Sequence, residues 1–144
     1  MLRLSSPNPC NAAPIALALV LACGTLGCAK HIDDRESGTV DFSNPKRVLS
    51  SVFHAAKTGE ADHLASLCDP KGGADEDVRR LCSLTPDSPD WQSFVRHFQN
   101  AHLIGEARIS GRRALVNFAF GPEGKQSETM ELRQRGGRWY LHEF

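Results

Sequence analysis

The spacing of apolar residues changes once along this chain of 144 residues, and that change limits the fold class more than any other feature. Up to about residue 98, apolar side chains recur three and four residues apart, which places them on one face of an α-helix. Beyond about residue 106, apolar residues alternate with polar ones, as in a β-strand that buries one face. Helices followed by strands predict an α+β fold, in which the helices pack on an antiparallel sheet.

The first predicted helix has a start signal and a stop signal. Asn44 is a capping residue, Pro45 suits the first helical position, and Gly59 is expected to end the helix. Its apolar residues share one stripe: Val48, Leu49, Val52, Phe53 and Ala56. Shorter helices are predicted within 61–68, within 75–82 and from 91 to 98, and we expect Asp90 to cap the last of these.

The strands are predicted from alternation and from turn glycines. In the segment 112–120, Ala114, Val116, Phe118 and Phe120 are expected on one face, with Leu115, Asn117 and Ala119 on the other. Gly136-Gly137 predicts a hairpin turn that pairs Leu132 with Leu141 and Glu131 with His142. We expect Trp139 and Leu141 to pack on the first helix, and the strand that ends at Phe144 to lie in the middle of the sheet.

The first 22 residues differ in composition from the rest. They contain one charged side chain, Arg3, followed by the apolar run 12–22, which is too short to span a membrane. A basic start, a short apolar segment and small residues before a cut site are typical of a secretory signal peptide, here 1–22. Export is therefore predicted, and the mixed, aperiodic segment 23–40 is predicted to be a flexible tether.

The residues Val20-Leu21-Ala22-Cys23 resemble the lipobox of bacterial lipoproteins. The resemblance implies cleavage before Cys23, acylation of that cysteine with palmitate or a similar chain, and a membrane as partner through the N-terminal lipid. Several acyl chains would anchor the protein firmly in the cell envelope. Cys28 is an alternative, because Gly27 precedes it and because its use would leave Cys68 and Cys82 as an even pair.

Cys68 and Cys82 enclose 13 residues that are rich in glycine and charge. In an exported protein this spacing is compatible with a disulfide, while free cysteines would be small buried apolar residues. The sequence lacks the paired spacing of a zinc site, so no metal ligands are predicted.

After the first helix the chain contains Gly59, Glu60 and Leu67, and its last strands contain Gly137, Trp139 and Leu141. Through these motifs residues 42–144, in the predicted domain 41–144, resemble the nuclear-transport-factor-2-like superfamily, and in particular its small bacterial lipoproteins. The resemblance implies a cone-shaped α+β barrel, a strongly curved antiparallel sheet wrapped around the first helix with a pocket at its open end. Some members of the superfamily are isomerases or dehydratases, and many are binding or dimerisation modules.

Candidate pocket residues are His54, His63 and Asn117, since Asn117 is the one polar residue within the apolar alternation. No catalytic residue and no cofactor is predicted. Acidic and basic residues balance at 17 each, which argues against a nucleic-acid partner and against a strongly polybasic membrane patch. The leading hypothesis is a membrane-tethered module that binds a small molecule or an envelope protein. The alternatives are an isomerase or dehydratase with a pocket histidine, and a structural homodimer.

Overall fold

The computed structural model describes residues 39–144. The predicted signal peptide 1–22, both lipidation candidates Cys23 and Cys28, and the tether up to residue 38 lie outside the described residues. Val40, the last residue of the predicted tether, is half-buried and packs against the core. Among residues 39–144, no helix is long and apolar enough to cross a membrane.

The described chain forms four helices and then four strands, which confirms the α+β prediction. The helices are α1 (Pro45–Thr58), α2 (Leu64–Leu67), α3 (Glu76–Cys82) and α4 (Trp91–Phe98). The strands are β1 (His102–Ser110), β2 (Arg113–Phe120), β3 (Gln126–Arg135) and β4 (Arg138–Glu143).

The four strands form one antiparallel sheet in the order β1-β2-β3-β4. Each hairpin places a strand beside its predecessor, so the first and the last strand of the series lie at opposite edges. The sheet is therefore open within the described residues, and these strands do not close into the expected barrel. The prediction that the last strand lies centrally is wrong for the same reason.

The outer edge of β4 is covered by chain segments that precede the sheet. The Trp139 amide donates to the Phe42 carbonyl (2.9 Å), and the Asp75 amide donates to the His142 carbonyl (2.9 Å). Between them, Cys68 forms a parallel bridge with Leu141. These contacts satisfy backbone groups that an edge strand otherwise leaves unpaired.

The predicted hairpin register is correct near the turn and shifts farther along. Leu132 lies opposite Leu141 as expected, but Glu131 lies opposite Glu143 instead of His142. An irregularity between Glu131 and Leu132 inserts one extra residue into β4. Such a bulge re-aims the following side chains, and alternation along the sequence does not reveal it.

Helix α1 has the ends that the sequence predicts. The Asn44 side chain accepts a hydrogen bond from the Lys46 amide (2.9 Å), Pro45 is the first helical residue, and Gly59 adopts φ 79° while its amide donates to the Ala55 carbonyl. This left-handed conformation favours glycine. Asp90 precedes α4 but makes no capping bond through its side chain, because its backbone is already in the helical region.

The predicted stripe of α1 is the centre of the core. Val48, Leu49 and Val52 are completely buried, and Phe53 and Ala56 are almost so. Trp139 and Leu141 of β4 belong to the same buried cluster, and α1 contacts β4. The prediction that Trp139 and Leu141 face the core on the side of the first helix is therefore confirmed.

Replacing Trp139 with alanine is expected to lower the free energy of unfolding by about 3–5 kcal/mol, because a large buried ring is lost from the core. Tyr140→Ala is the control, since Tyr140 lies on the opposite face and is only half-buried. Urea unfolding of both variants measures the effect. Equal losses for the two variants would contradict the assigned faces.

Candidate functional site

A cleft of about 320 Å³ lies between α3, α4 and the end of the chain. Its apolar lining comes from Leu81, Leu84, Phe94, Phe98 and Phe144, and its polar lining from Asp77, Arg80, Asp90, Ser93 and His97. An apolar lining with a few polar groups is typical of small-ligand sites, and this volume is at the small end of their range.

Helix α3 forms one wall of the cleft and is fixed at both ends. At its start, the Asp75 carboxylate accepts a hydrogen bond from the Val78 amide (2.7 Å) and lies 3.4 Å from the Phe144 amide. At its other end, Cys82 is joined to Cys68 by a disulfide. Asp75 and the disulfide together hold this wall against β4, which bridges to Cys68 and bonds to Asp75.

Helix α4 supplies the aromatic lining of the cleft. Phe94 and Phe98 have ring centroids 5.3 Å apart, and Phe98 continues into the core through Phe118 at 6.4 Å and Phe53 at 6.4 Å. Contacts of this kind stabilise more than the buried area alone. The cleft is therefore lined by rings that the core holds in place, so its shape is largely set before any ligand arrives.

His97 is the histidine of the cleft. Its Nδ1 lies 2.7 Å from the Ser93 carbonyl oxygen, which can only accept, so Nδ1 must carry the hydrogen. In the neutral ring this leaves Nε2 as an acceptor. The polar lining thus contains acceptors at His97, Asp77 and Asp90 and a strong donor at Arg80.

The residues predicted for the pocket do not line this cleft. His54 is exposed on α1, and its Nε2 is 3.9 Å from a carboxylate oxygen of Glu60. His63 is half-buried and precedes α2. Asn117 lies on the sheet face opposite the core, where its Oδ1 accepts a hydrogen bond from Thr129 (2.8 Å). The structure therefore does not bring the three residues together in the cleft.

Only some of the residues that line the cleft could be predicted from sequence patterns. The apolar residues of α4 were predicted as a buried stripe, and nothing in their spacing shows that part of that stripe borders an opening. His97 is three residues after Phe94, close to the same helix face, and this spacing was the available signal. The contribution of Phe144 depends on where β4 ends, which local sequence does not specify.

A second polar cluster lies on the sheet face that is opposite the core. Glu131 is buried, and its two carboxylate oxygens accept hydrogen bonds from Arg113 Nε and Arg133 Nε, each at 2.6 Å. Burial by itself raises the pKa of Glu131, but the hydrogen bonds and charges of the two arginines outweigh it and lower the pKa below its ordinary value. Because Arg113 and Arg133 are directly opposite each other in the sheet, Glu131 also offsets their repulsion.

No group of three or more histidine, cysteine or acidic side chains with the geometry of a metal site occurs within 39–144.

Replacing Glu131 with glutamine is expected to lower the free energy of unfolding by about 1–3 kcal/mol at pH 7, because the amide has one acceptor oxygen instead of two and no negative charge for the two arginines. The folded-state pKa of Glu131 is lowered, so its contribution is complete above the ordinary value of 4.5 and is lost as the pH falls through the folded-state pKa. The difference between wild type and variant should therefore shrink at pH 3.

Urea unfolding at both pH values measures this dependence. Glu143→Gln is the matched control, because Glu143 lies opposite Glu131 in the sheet but is exposed. A difference between wild type and Glu131→Gln that stays constant from pH 7 to pH 3 would contradict the assignment.

Comparison with known proteins gives no match for this chain: no protein-family model, no curated protein and no solved structure corresponds to it.

Proposed function

We propose that this protein is a membrane-tethered lipoprotein of the cell envelope whose folded domain binds a small amphipathic ligand, without catalysis of its own. The cleft between α3 and α4 is the observation on which the binding role rests. Its apolar residues suit the body of such a ligand, and Arg80, His97 and the two aspartates suit its polar group.

The tether and the anchor are proposed from the sequence alone. The lipobox-like residues 20–23 favour Cys23 as the acylated residue, with Cys28 as the alternative. The pairing of Cys68 with Cys82 is consistent with an oxidising compartment, which export would provide. Acylation at either cysteine would place the domain at a membrane surface.

Binding is preferred to catalysis because of where the candidate histidines lie. An isomerase or dehydratase would need His54 or His63 in an apolar pocket opposite another titratable group. His54 is exposed, and neither residue lines the cleft. His97 does line the cleft, but one of its ring nitrogens is bonded to the backbone of its own helix.

The superfamily resemblance and the homodimer are weaker proposals. Helices followed by an antiparallel sheet, with α1 packed on it, are compatible with a nuclear-transport-factor-2-like domain, although the described strands form an open sheet. A homodimer through the outer sheet face would have to remove the exposed side chains of Arg113 and Arg133 from water, which costs solvation energy.

Expression of the full chain in a bacterial host with an alkyne analogue of palmitate tests the anchor. Cys23→Ser should abolish labelling and Cys28→Ser should leave it intact, because the acyl chains are attached to Cys23. If labelling is lost in Cys28→Ser and kept in Cys23→Ser, the acylated residue is Cys28. An unlabelled wild-type protein that is secreted normally would contradict the lipoprotein proposal.

The cleft is tested with the neutral fluorescent probe N-phenyl-1-naphthylamine. Ser93→Phe places a ring in the cleft from an exposed position and should weaken probe binding by about tenfold or more. Gln92→Phe is the control, since Gln92 is exposed on the same helix but does not line the cleft. A wild-type protein that does not bind the probe, or equal effects of both variants, would contradict the proposed site.

A further inference from the structure

Two neighbouring hairpin ends concentrate positive charge on a chain whose net charge is zero. The segments 108–113 and 133–138 contain six arginines and no acidic residue: Arg108, Arg112, Arg113, Arg133, Arg135 and Arg138. All six are exposed. We call these two segments the arginine hairpins.

The sheet places the arginine hairpins side by side. The β1–β2 turn and the β3–β4 turn lie at the same end of the sheet, because both connect consecutive antiparallel strands. Arg113 is paired with Arg133, and the Gln134 amide donates to the Arg112 carbonyl (2.8 Å). The positive charges of the two segments therefore form one surface.

Only part of this charge is balanced within the described residues. Glu131 accepts from both Arg113 and Arg133, and Asp69 accepts from Arg135 Nε at 2.6 Å. The Arg138 guanidinium lies 3.9 Å from the centroid of the Phe42 ring. Between residues 39 and 144, Arg108 and Arg112 have no acidic side chain within ion-pair distance, so the surface keeps a net positive charge.

An exposed apolar side chain lies at the same end of the sheet, on its other face. Ile109, between Arg108 and the β1–β2 turn, is 57% exposed, and Ile104 on the same strand is 40% exposed. These are the exposed large hydrophobic residues of the described chain. Ile109 lies opposite Ala114 and therefore on the core-side face, whereas Arg108, Arg113 and Arg133 lie on the outer face. Both faces meet at the hairpin ends, so a lipid surface that contacts these ends reaches the apolar side chain and the cations together, the apolar residue entering the interface and the cations pairing with phosphates.

We propose that the arginine hairpins dock the domain on a membrane surface that contains anionic phospholipids. A lipid surface is favoured over a nucleic acid because Ile109 would gain nothing from contact with a charged backbone. The aromatic side chains near this end, Phe42 and Tyr140, stack on each other with centroids 5.8 Å apart and are half-buried, so they do not offer free rings to bases. This docking does not depend on ligand binding in the cleft or on acylation.

Co-sedimentation of the full chain with vesicles tests the proposal. Vesicles of phosphatidylcholine alone are compared with vesicles that contain phosphatidylglycerol. The apolar run 12–22 contributes equally to both, and the contribution of Arg3 is the same in the wild type and in every variant. The wild type should prefer the anionic vesicles. Arg108→Gln combined with Arg112→Gln should reduce that preference by about 20-fold, given the contribution of each arginine at an anionic surface. Ile109→Ser should weaken binding to the anionic vesicles.

The matched control is Arg79→Gln combined with Arg96→Gln, which removes the same charge from exposed positions on α3 and α4. It should leave the preference nearly unchanged. The proposal is overturned if the wild type does not distinguish the vesicles, or if the control variant loses as much as the hairpin variant. It is also overturned if a single-stranded oligonucleotide competes fully with the vesicles and Ile109→Ser has no effect. The cleft and the acylation site have separate tests, so those proposals stand or fall independently.

Discussion

The outer edge of strand β4, which no other strand of the sheet covers, is the constraint on which the rest of this fold depends. A final strand at the edge of an open sheet leaves backbone groups that need partners. Here the partners come from three separate parts of the chain, at Phe42, Cys68 and Asp75. One face of the strand buries Trp139 and Leu141 in the core, and its outer edge joins the segment before α1 and the disulfide loop 68–82 to the sheet.

The cleft is a consequence of that arrangement. Asp75 bonds to β4 and also caps α3, so the same residue fixes the start of the cleft wall and its distance from the end of the chain. The disulfide fixes the other end of α3. Helix α4 is held differently, through rings that stack from Phe94 into the core. An opening remains between them because the two helices are attached to different parts of the structure.

The outer face of the sheet is stabilised by charged groups instead of apolar packing. Burying Glu131 costs solvation energy, and Arg113 and Arg133 offset it with two charge-assisted hydrogen bonds. The carboxylate in turn lets two arginines occupy facing positions. Positive charge is therefore concentrated at one end of the sheet, although acidic and basic residues balance over the whole chain. The total composition does not show this local excess.

The sequence by itself determined the class of fold, the ends and buried stripe of α1, the alternation in β2 and the turn of the last hairpin. These depend on residues within a few positions of one another, whose backbone preferences and spacing act locally. Only the tertiary structure decided the edge position of β4, its bulge, the lining of the cleft and the partners of Glu131. Each of these depends on contacts between residues far apart in the chain, such as Asp75 with His142, and local spacing contains no information about them.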